Sequence, residues 1–545
     1  MPEDIARDYL YSDLLATLEV YEKQSSIFSR GDSTSLIPIR DMMCEFTSVL
    51  TDIEMAGMAI DLEALDKVDQ DYEAEEAQLK SYLTREVRKY MGDTPINLSS
   101  GEQMSKVIYS CQFRDKKLWK EVMNIGTDSE GKPLRRPRMK IKAFREVLSA
   151  CFTRPRKQQA TKCLSCYGSG QIRKIKKSGE PFARTNACQE CGGLGVLYKD
   201  LPEIAGLGFN PTVDYASEGG FATNKATISE LRNETSDPDK RKFLDSIARL
   251  SAISSYRTSF INGIRTNTRP TGLLHCSFNQ TTTRTGRLSS SGPNMQNIPK
   301  DKSFPVRAAF VSRFEDGTIL EIDYSQLEFR IAGILANDPA IAADILNGHD
   351  VHQYTADVLT AKGEPTKRGP AKSRTFKPLY GGTSGTVAER AYYEEFFNKY
   401  SRVLEWHDEL LNEAVVRRRI QTPTGRQFDF PNCRRLQNGG VHGATTIKNY
   451  PVQSVATADI VPLGVILLHK WLKSNGLRTV LINTVHDSVV LDVHPEEIAL
   501  VSNAAPGIML KVADEAGQKF DLDVFIPLDV ETSVGKNWLE QKDLC

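Results

Sequence analysis

Residues 318–336 of this 545-residue chain read TILEIDYSQLEFRIAGILA, a β-rich apolar run that passes through Asp323 into a second apolar run. Leu327, Ile331, Ile334 and Leu335 recur there at helical spacing, so the segment predicts a buried strand running directly into a helix. A second segment, VLINTVHDSVVLDV at 480–493, predicts two strands meeting at a tight turn at His486 and Asp487. A strand-end aspartate and a turn-tip aspartate each present a carboxylate to a cleft while their backbones stay in the sheet. From about residue 265 onward the chain alternates short β-rich runs with helical ones, which predicts an α+β, multidomain α/β catalytic body. The length allows three to four domains at ~150 residues each.

Composition narrows the class further. Hydrophobic residues make up 40% and charged residues 26%, which suits a globular chain rather than a disordered one. The sequence reads as holding no run of 18 uncharged apolar residues, and the charged N-terminus MPEDIARDYL lacks an apolar signal core, so a cytoplasmic protein without a membrane partner is expected. Lys plus Arg and Asp plus Glu both number 70, so net charge points to no polyanion. Distribution does: between Lys132 and Arg184 sixteen Lys or Arg face two acids, Glu146 and Glu180. Such a run neutralises phosphates, or else forms a solvated basic face.

Residues 1 to about 95 predict long amphipathic helices, and the helical pattern returns at 225–264. Between them, from about 112 to 220, the chain turns basic and Gly-rich and loses periodicity, as an insertion would. It carries CLSCYGSG and CQECGGLG, two copies of CxxCxGxG. Cys163, Cys166, Cys188 and Cys191 supply four thiolates for one tetrahedral structural Zn²⁺, with glycines for the tight turns around it; a redox dithiol is the competing reading. The knuckles resemble those of the J-domain heat-shock cochaperones, which carry four repeats rather than two.

Asp323 and Asp487 can hold two Mg²⁺ ions for in-line phosphoryl transfer, because Mg²⁺ takes few carboxylates and keeps water and phosphate oxygens as ligands; taken alone, a strand-end Asp and a turn Asp are more often structural, since turns favour Asp. Arg368, Lys372, Phe376 and Tyr380 follow one another at intervals of four and share a broad helix face. Two cations can grip a triphosphate and two rings can stack on a base, although a basic surface helix shows the same pattern. His352 adds a possible phosphate donor.

These segments together resemble the family A DNA polymerases. DYSQLEFR is similar to the family's motif A, RGPAKSRTFKPLYGG to motif B and TVHDSVVLDV to motif C, in the family's order; FNQTTTRTGRLSSSGPNMQNIP at 278–299 is similar to the segment that opens the palm. The resemblance covers roughly residues 46–110 and 220–545. It implies a right-hand polymerase fold with palm, fingers and thumb, plus a small zinc-binding insertion. Residues 1–45 would be the C-terminal remnant of a 3′–5′ exonuclease-like domain and 46–265 the thumb, interrupted at about 130–215. The first palm part would be 266–345, the fingers 346–450 and the second palm part 451–545.

Carried over, the resemblance implies that Asp323, Asp487 and the Tyr324 carbonyl hold Mg²⁺. Arg368, Lys372 and His352 would contact the incoming triphosphate, with Lys372 also protonating pyrophosphate. Phe376 and Tyr380 would stack on the nascent pair, with Gln326 also at the nucleotide. Glu328 would occupy the place of a ribose 2′-hydroxyl and so favour dNTPs over rNTPs. Arg287, Asn294, Asn297, Gln453 and His486 would line the minor groove of primer-template DNA, where every base pair offers acceptors, and Arg426 would touch its backbone.

Three departures stand out. Ser488 replaces the Glu that often follows the catalytic Asp, Pro378 interrupts the motif B helix, and GGTSG after it looks more like phage members, which places the chain in phage DNA replication and in a bacterial host cytoplasm. Tyr9 and Asp13 resemble the last exonuclease motif, but too little chain precedes them for a complete proofreading site. Either the chain is a fragment, or its partner half is encoded separately and assembles in trans; in the second case a separately encoded exonuclease subunit or processivity factor is expected as a partner. The rival readings are a zinc-dependent nucleic-acid-binding factor on an inactive polymerase scaffold, and a single-subunit RNA polymerase, which Glu328 disfavours.

Overall fold

A computed structural model describes residues 3–29, 35–123, 141–175 and 181–544. Lys132, Arg135, Arg136, Arg138, Lys140, Lys176 and Lys177 of the basic run lie outside them. The chain divides into two compact units, Met1–Asp66 with Phe260–Cys545, and Lys67–Ser259.

The first unit is built on a five-stranded antiparallel sheet with strands in the order Val480–Val485, Ser488–Val493, Thr318–Tyr324, Val530–Gly535, Gln541–Leu544. Side chains alternate across a strand, so Leu320, Ile322 and Tyr324 enter the core while Glu321 and Asp323 take the other face. Helices Ile37–Ala56 and Val461–Ser474 pack beneath, the first burying Phe46, Val49, Leu50 and Ile53. The expected thumb boundary at residue 46 therefore falls inside a helix that shares its core with the sheet. The helical stretch Ala444–Ser474 is apolar and long enough to cross a membrane by composition, although Lys448, Asp459 and Lys470 interrupt it; 89% of its apolar window is buried within the protein, which makes it a core helix.

Around the sheet stand helices Leu327–Ala336, Val351–Ala361, Arg368–Leu379, Val387–Lys399 and Ser401–Arg417, joined over Tyr392, Phe396, Tyr400 and Trp406. Asp350 caps the second of these, accepting from the N–H groups of His352 and Gln353 at 2.9 and 3.1 Å. Pro378 has no N–H to continue the third, which ends at Leu379. Tyr380 thus caps the helix instead of continuing it, yet its ring still lies parallel to Phe376, 6.5 Å away. The helix Glu3–Phe28, with Tyr9 and Asp13, leaves Tyr9, Leu14 and Leu18 exposed.

The second unit has its own core of Leu83, Val87, Trp119, Phe144, Phe152, Phe221 and Phe243. Phe144, Phe152, Leu207 and Tyr215 belong to it, so most of the flanks of the expected 130–215 insertion are integral to the unit. From it projects a ladder pairing Arg156–Lys162 with Val196–Ile204, anchored at its base where Gln158 bridges Gly92 and Ala160 N–H donates to Asp93, and extended by a second hairpin, Gln171–Ile175 with Pro181–Ala187.

Candidate active site

The ladder of the central strand places the two aspartates together. Asp323 sits opposite Ser488 on one side and Glu531 on the other, and the N–H of Tyr324 donates to the Asp487 carbonyl at 3.1 Å. His486, at the turn tip, adopts a left-handed backbone with φ 56°, which reverses the chain and returns Asp487 to the sheet edge. Burial and then the charge of Asp323 push the Asp487 carboxyl up to about 7. Two such carboxylates call for a cation. The Lys300 ammonium answers, 2.8 Å from Asp323 Oδ2 and 2.9 Å from Glu321 Oε1. Burial alone would lower the Lys300 pKa, but the Glu321 and Asp323 carboxylates outweigh it and raise it. This set of hard oxygen donors around a cation fits Mg²⁺.

Glu321 is fully enclosed. Trp538 Nε1 donates to its Oε2 at 2.8 Å, and Arg307, stacked 3.9 Å from the Trp538 ring centroid, pairs with the same oxygen at 3.3 Å.

Glu328 accepts from both the Tyr380 hydroxyl and the Arg287 guanidinium. Arg287 Nε also donates to Thr457 Oγ1 at 3.0 Å, and Gln453 reaches the Tyr380 hydroxyl. Burial, then the Glu328 charge, raises the Tyr380 pKa. Four residues from sequence positions 287, 328, 380 and 453 thus form one polar knot. Burial and then Arg287 lower the His486 pKa, which joins His486 to it. Asn294 caps the short turn Met295–Asn297, and both asparagines are exposed.

On the Arg368 helix, Lys372 is exposed and Arg368 Nε donates to Asp350 Oδ2 at 2.5 Å. His352, in contrast, is buried against Phe376, its Nδ1 3.1 Å from Thr375 Oγ1, and burial followed by the Lys372 charge lowers its pKa to about 4. Gln326 sits at the helix start with φ 52°, its Oε1 buried and unbonded. The Tyr324 ring points into the core, where its hydroxyl donates to the Met509 carbonyl at 3.0 Å. Arg426 departs from expectation. Its guanidinium is committed inside the protein, to Asp459 Oδ1 at 2.6 Å and the Ala458 carbonyl at 2.9 Å, because Asp459 is fully buried and needs a counterion.

In the second unit, the Sγ atoms of Cys163, Cys166, Cys188 and Cys191 lie within 4.8 Å of one another. The Cys163–Cys188 and Cys166–Cys191 separations, 3.8 and 3.7 Å, match the ~3.8 Å edge of a tetrahedron with ~2.3 Å metal–sulfur bonds. Burial alone would raise the Cys166 thiol; the N–H groups of Gly170 and Gly168 and the neighbouring thiols outweigh it and lower it to about 7. A Cβ on Gly170 would meet the Gly193 carbonyl oxygen at 2.2 Å, and one on Gly195 that of Gly168 at 2.5 Å. The two knuckles interlock, and the glycines permit it.

Residues 197–540 match the sequence profile described as DNA polymerase family A. The chain belongs to DNA polymerase family A. The thermostable DNA polymerase I of Thermus filiformis is 31% identical over 353 residues, covering 62% of this chain and 40% of that protein. DNA polymerase I of Bacillus subtilis (strain 168) is 29% identical over 382 residues, covering 67% and 40%. The chain thus spans about 40% of the length of the curated relatives it matches. The POL domain of Pol1 from M. smegmatis, in a complex with DNA primer-template and dNTP, superposes with a TM-score of 0.65 at 20% identity, over 97% of this chain and 75% of that one. The right-hand polymerase fold follows.

This family A member carries site residues that the sequence did not announce. The alternation of Glu321 with Asp323 was readable as one face of a strand. Lys300, Arg307, Trp538 and Glu531 had no such signal, since only the folded sheet brings them to Asp323.

Proposed function

We propose that this chain extends a primer 3′ end with deoxynucleotides on a DNA template, through two Mg²⁺ ions held by Asp323, Asp487 and the Tyr324 carbonyl. The observation that carries the reading is the backbone pairing that brings the strand-end Asp323 beside the turn that carries Asp487, through Tyr324 N–H to the Asp487 carbonyl. When bound, the ions lower the barrier by stabilising charge on the attacking and leaving oxygens. The chain's own residues do the rest. Arg368 and Lys372 receive the triphosphate, and exposed Lys372 donates a proton to the departing pyrophosphate. Phe376 and Tyr380 form the parallel ring surface for the nascent base pair. Glu328, held by Arg287 and Tyr380, fills the space of a 2′-hydroxyl. Asn294, Asn297, Gln453 and His486 line the duplex. His352 supports this face from within, through Thr375 and Phe376.

In this reading the five-stranded sheet is the palm, the helices at 346–450 the fingers and the second unit the bulk of the thumb. The four-cysteine cluster holds one structural Zn²⁺, and its basic hairpin grips product duplex. Phage replication in a bacterial cytoplasm, alongside a processivity factor, is the setting proposed. Primer extension with dNTPs and rNTPs in parallel tests the central claim: extension confined to dNTPs supports it, and none with either overturns it.

A further inference from the structure

We propose that Glu531 is the third carboxylate of the divalent-ion site, supplying from the far side of Asp323 the negative charge that Ser488 lacks; the inference rests on the two-aspartate reading above. Position 488 cannot contribute it. Ser488 is buried, and its hydroxyl donates to the Val485 carbonyl at 3.1 Å. The same sheet row continues from Ser488 through Asp323 to Glu531, all three directly opposite one another. Directly opposed residues of antiparallel strands share a face, with Cβ atoms ~5 Å apart. Asp323 and Glu531 accordingly line one cavity of about 220 Å³, together with Lys300 and Glu321.

The other carboxylates on this face are unsuited. Glu321 is 4% exposed and spends its oxygens on Lys300, Arg307 and Trp538. Asp543 pairs with Ser533 at the sheet edge, two strands from Asp323 and so ~10 Å away. Glu531 is exposed and accepts one hydrogen bond, from Ser325 Oγ at 3.1 Å, on Oε1. Ser325 follows the Asp323–Tyr324 pair, so that bond fixes the glutamate toward the metal-binding end of the strand. The Lys300 ammonium already shows that this corner of the sheet collects a cation.

The test is Mn²⁺ titration of the whole chain, reading free Mn²⁺ by electron paramagnetic resonance, with primer extension against Mg²⁺ concentration in parallel. Glu531→Gln keeps the ladder position and the Ser325 bond and removes only charge. We expect it to weaken Mn²⁺ binding by ~10-fold or more, the scale for groups supporting a metal site, and to raise the Mg²⁺ requirement in the same ratio. Glu531→Asp restores most of both. Asp487→Asn is the reference. Wild-type Mn²⁺ affinity in Glu531→Gln, with loss in Asp487→Asn, overturns this inference alone. Unchanged affinity in Asp487→Asn overturns the two-aspartate reading itself.

Discussion

The N–H of Tyr324 donates to the carbonyl of Asp487 at 3.1 Å, so the residue that follows one aspartate is hydrogen-bonded to the backbone of the other. The backbones of the two aspartates are thereby held side by side by the hydrogen bonding of the sheet. A site carried on paired strands holds its geometry better than one carried on loops.

Replacing Asp323 or Asp487 with Asn removes charge at constant shape. Extension should fall by ~10³-fold or more, the scale of losing one preorganised electrostatic group, while primer-template binding by anisotropy stays near wild type. Substantial residual extension in either variant would refute the assignment.

Glu328→Ala frees the Tyr380 hydroxyl and the Arg287 guanidinium that it now accepts from. The ratio of rNTP to dNTP incorporation should rise by up to ~10²-fold, the range over which a pocket discriminates a single added group. A single-turnover measurement showing the same sugar ratio as wild type would place the selection elsewhere.

The hairpin can be shortened without touching the core of its unit. Ala160 pairs with Tyr198, so replacing residues 161–197 with Asn-Gly closes the ladder with a two-residue turn. The shortened chain should hold no zinc, make shorter products per binding event, and lose ~0.9 in the slope of log affinity against log salt for each phosphate contact removed. Identical salt slopes and product lengths would instead assign the hairpin to a protein partner. Single-nucleotide insertion should persist in either case.

Arg426→Ala leaves Asp459 buried without its counterion. Breaking such a pair costs ~3–5 kcal/mol, so thermal unfolding should shift down by several degrees. Asp459→Asn in the same background should recover part of the loss. A variant with wild-type melting but weakened DNA binding would return Arg426 to the DNA backbone.

His352 and His407 are both buried, and burial lowers them to about 4 and about 3. Their folded pKa values lie below the unfolded value of ~6.5, so the unfolded chain binds protons first. Their contribution is intact above pH ~6.5 and is lost progressively as pH falls toward 4, at up to ~1.4 kcal/mol per unit for each histidine. Denaturant midpoints measured from pH 7 to pH 4 should show the decline, and His407→Asn should make it shallower.

Local pattern was enough for several elements. The strand to Tyr324, the helix from Leu327, the turn at His486–Asp487 and the four cysteines were all readable because spacing along the chain controls them. Arg426 misled for a physical reason: an arginine beside TPTG looks solvent-facing until Asp459, from a helix 33 residues on, is buried against it. The core that helix Ile37–Ala56 joins was not legible either, since nothing in a helix's own sequence states which core receives its apolar face.

By itself, the sequence determined the chemistry available: one aspartate at a strand end and one at a turn, a cationic and aromatic helix face, and a four-thiolate cluster, each set by neighbours a few residues away. Tertiary structure alone decided which groups meet. Lys300, Glu321 and Glu531 reach Asp323 because antiparallel pairing brings distant positions within ~5 Å across neighbouring strands, and register between strands is a property of the whole sheet.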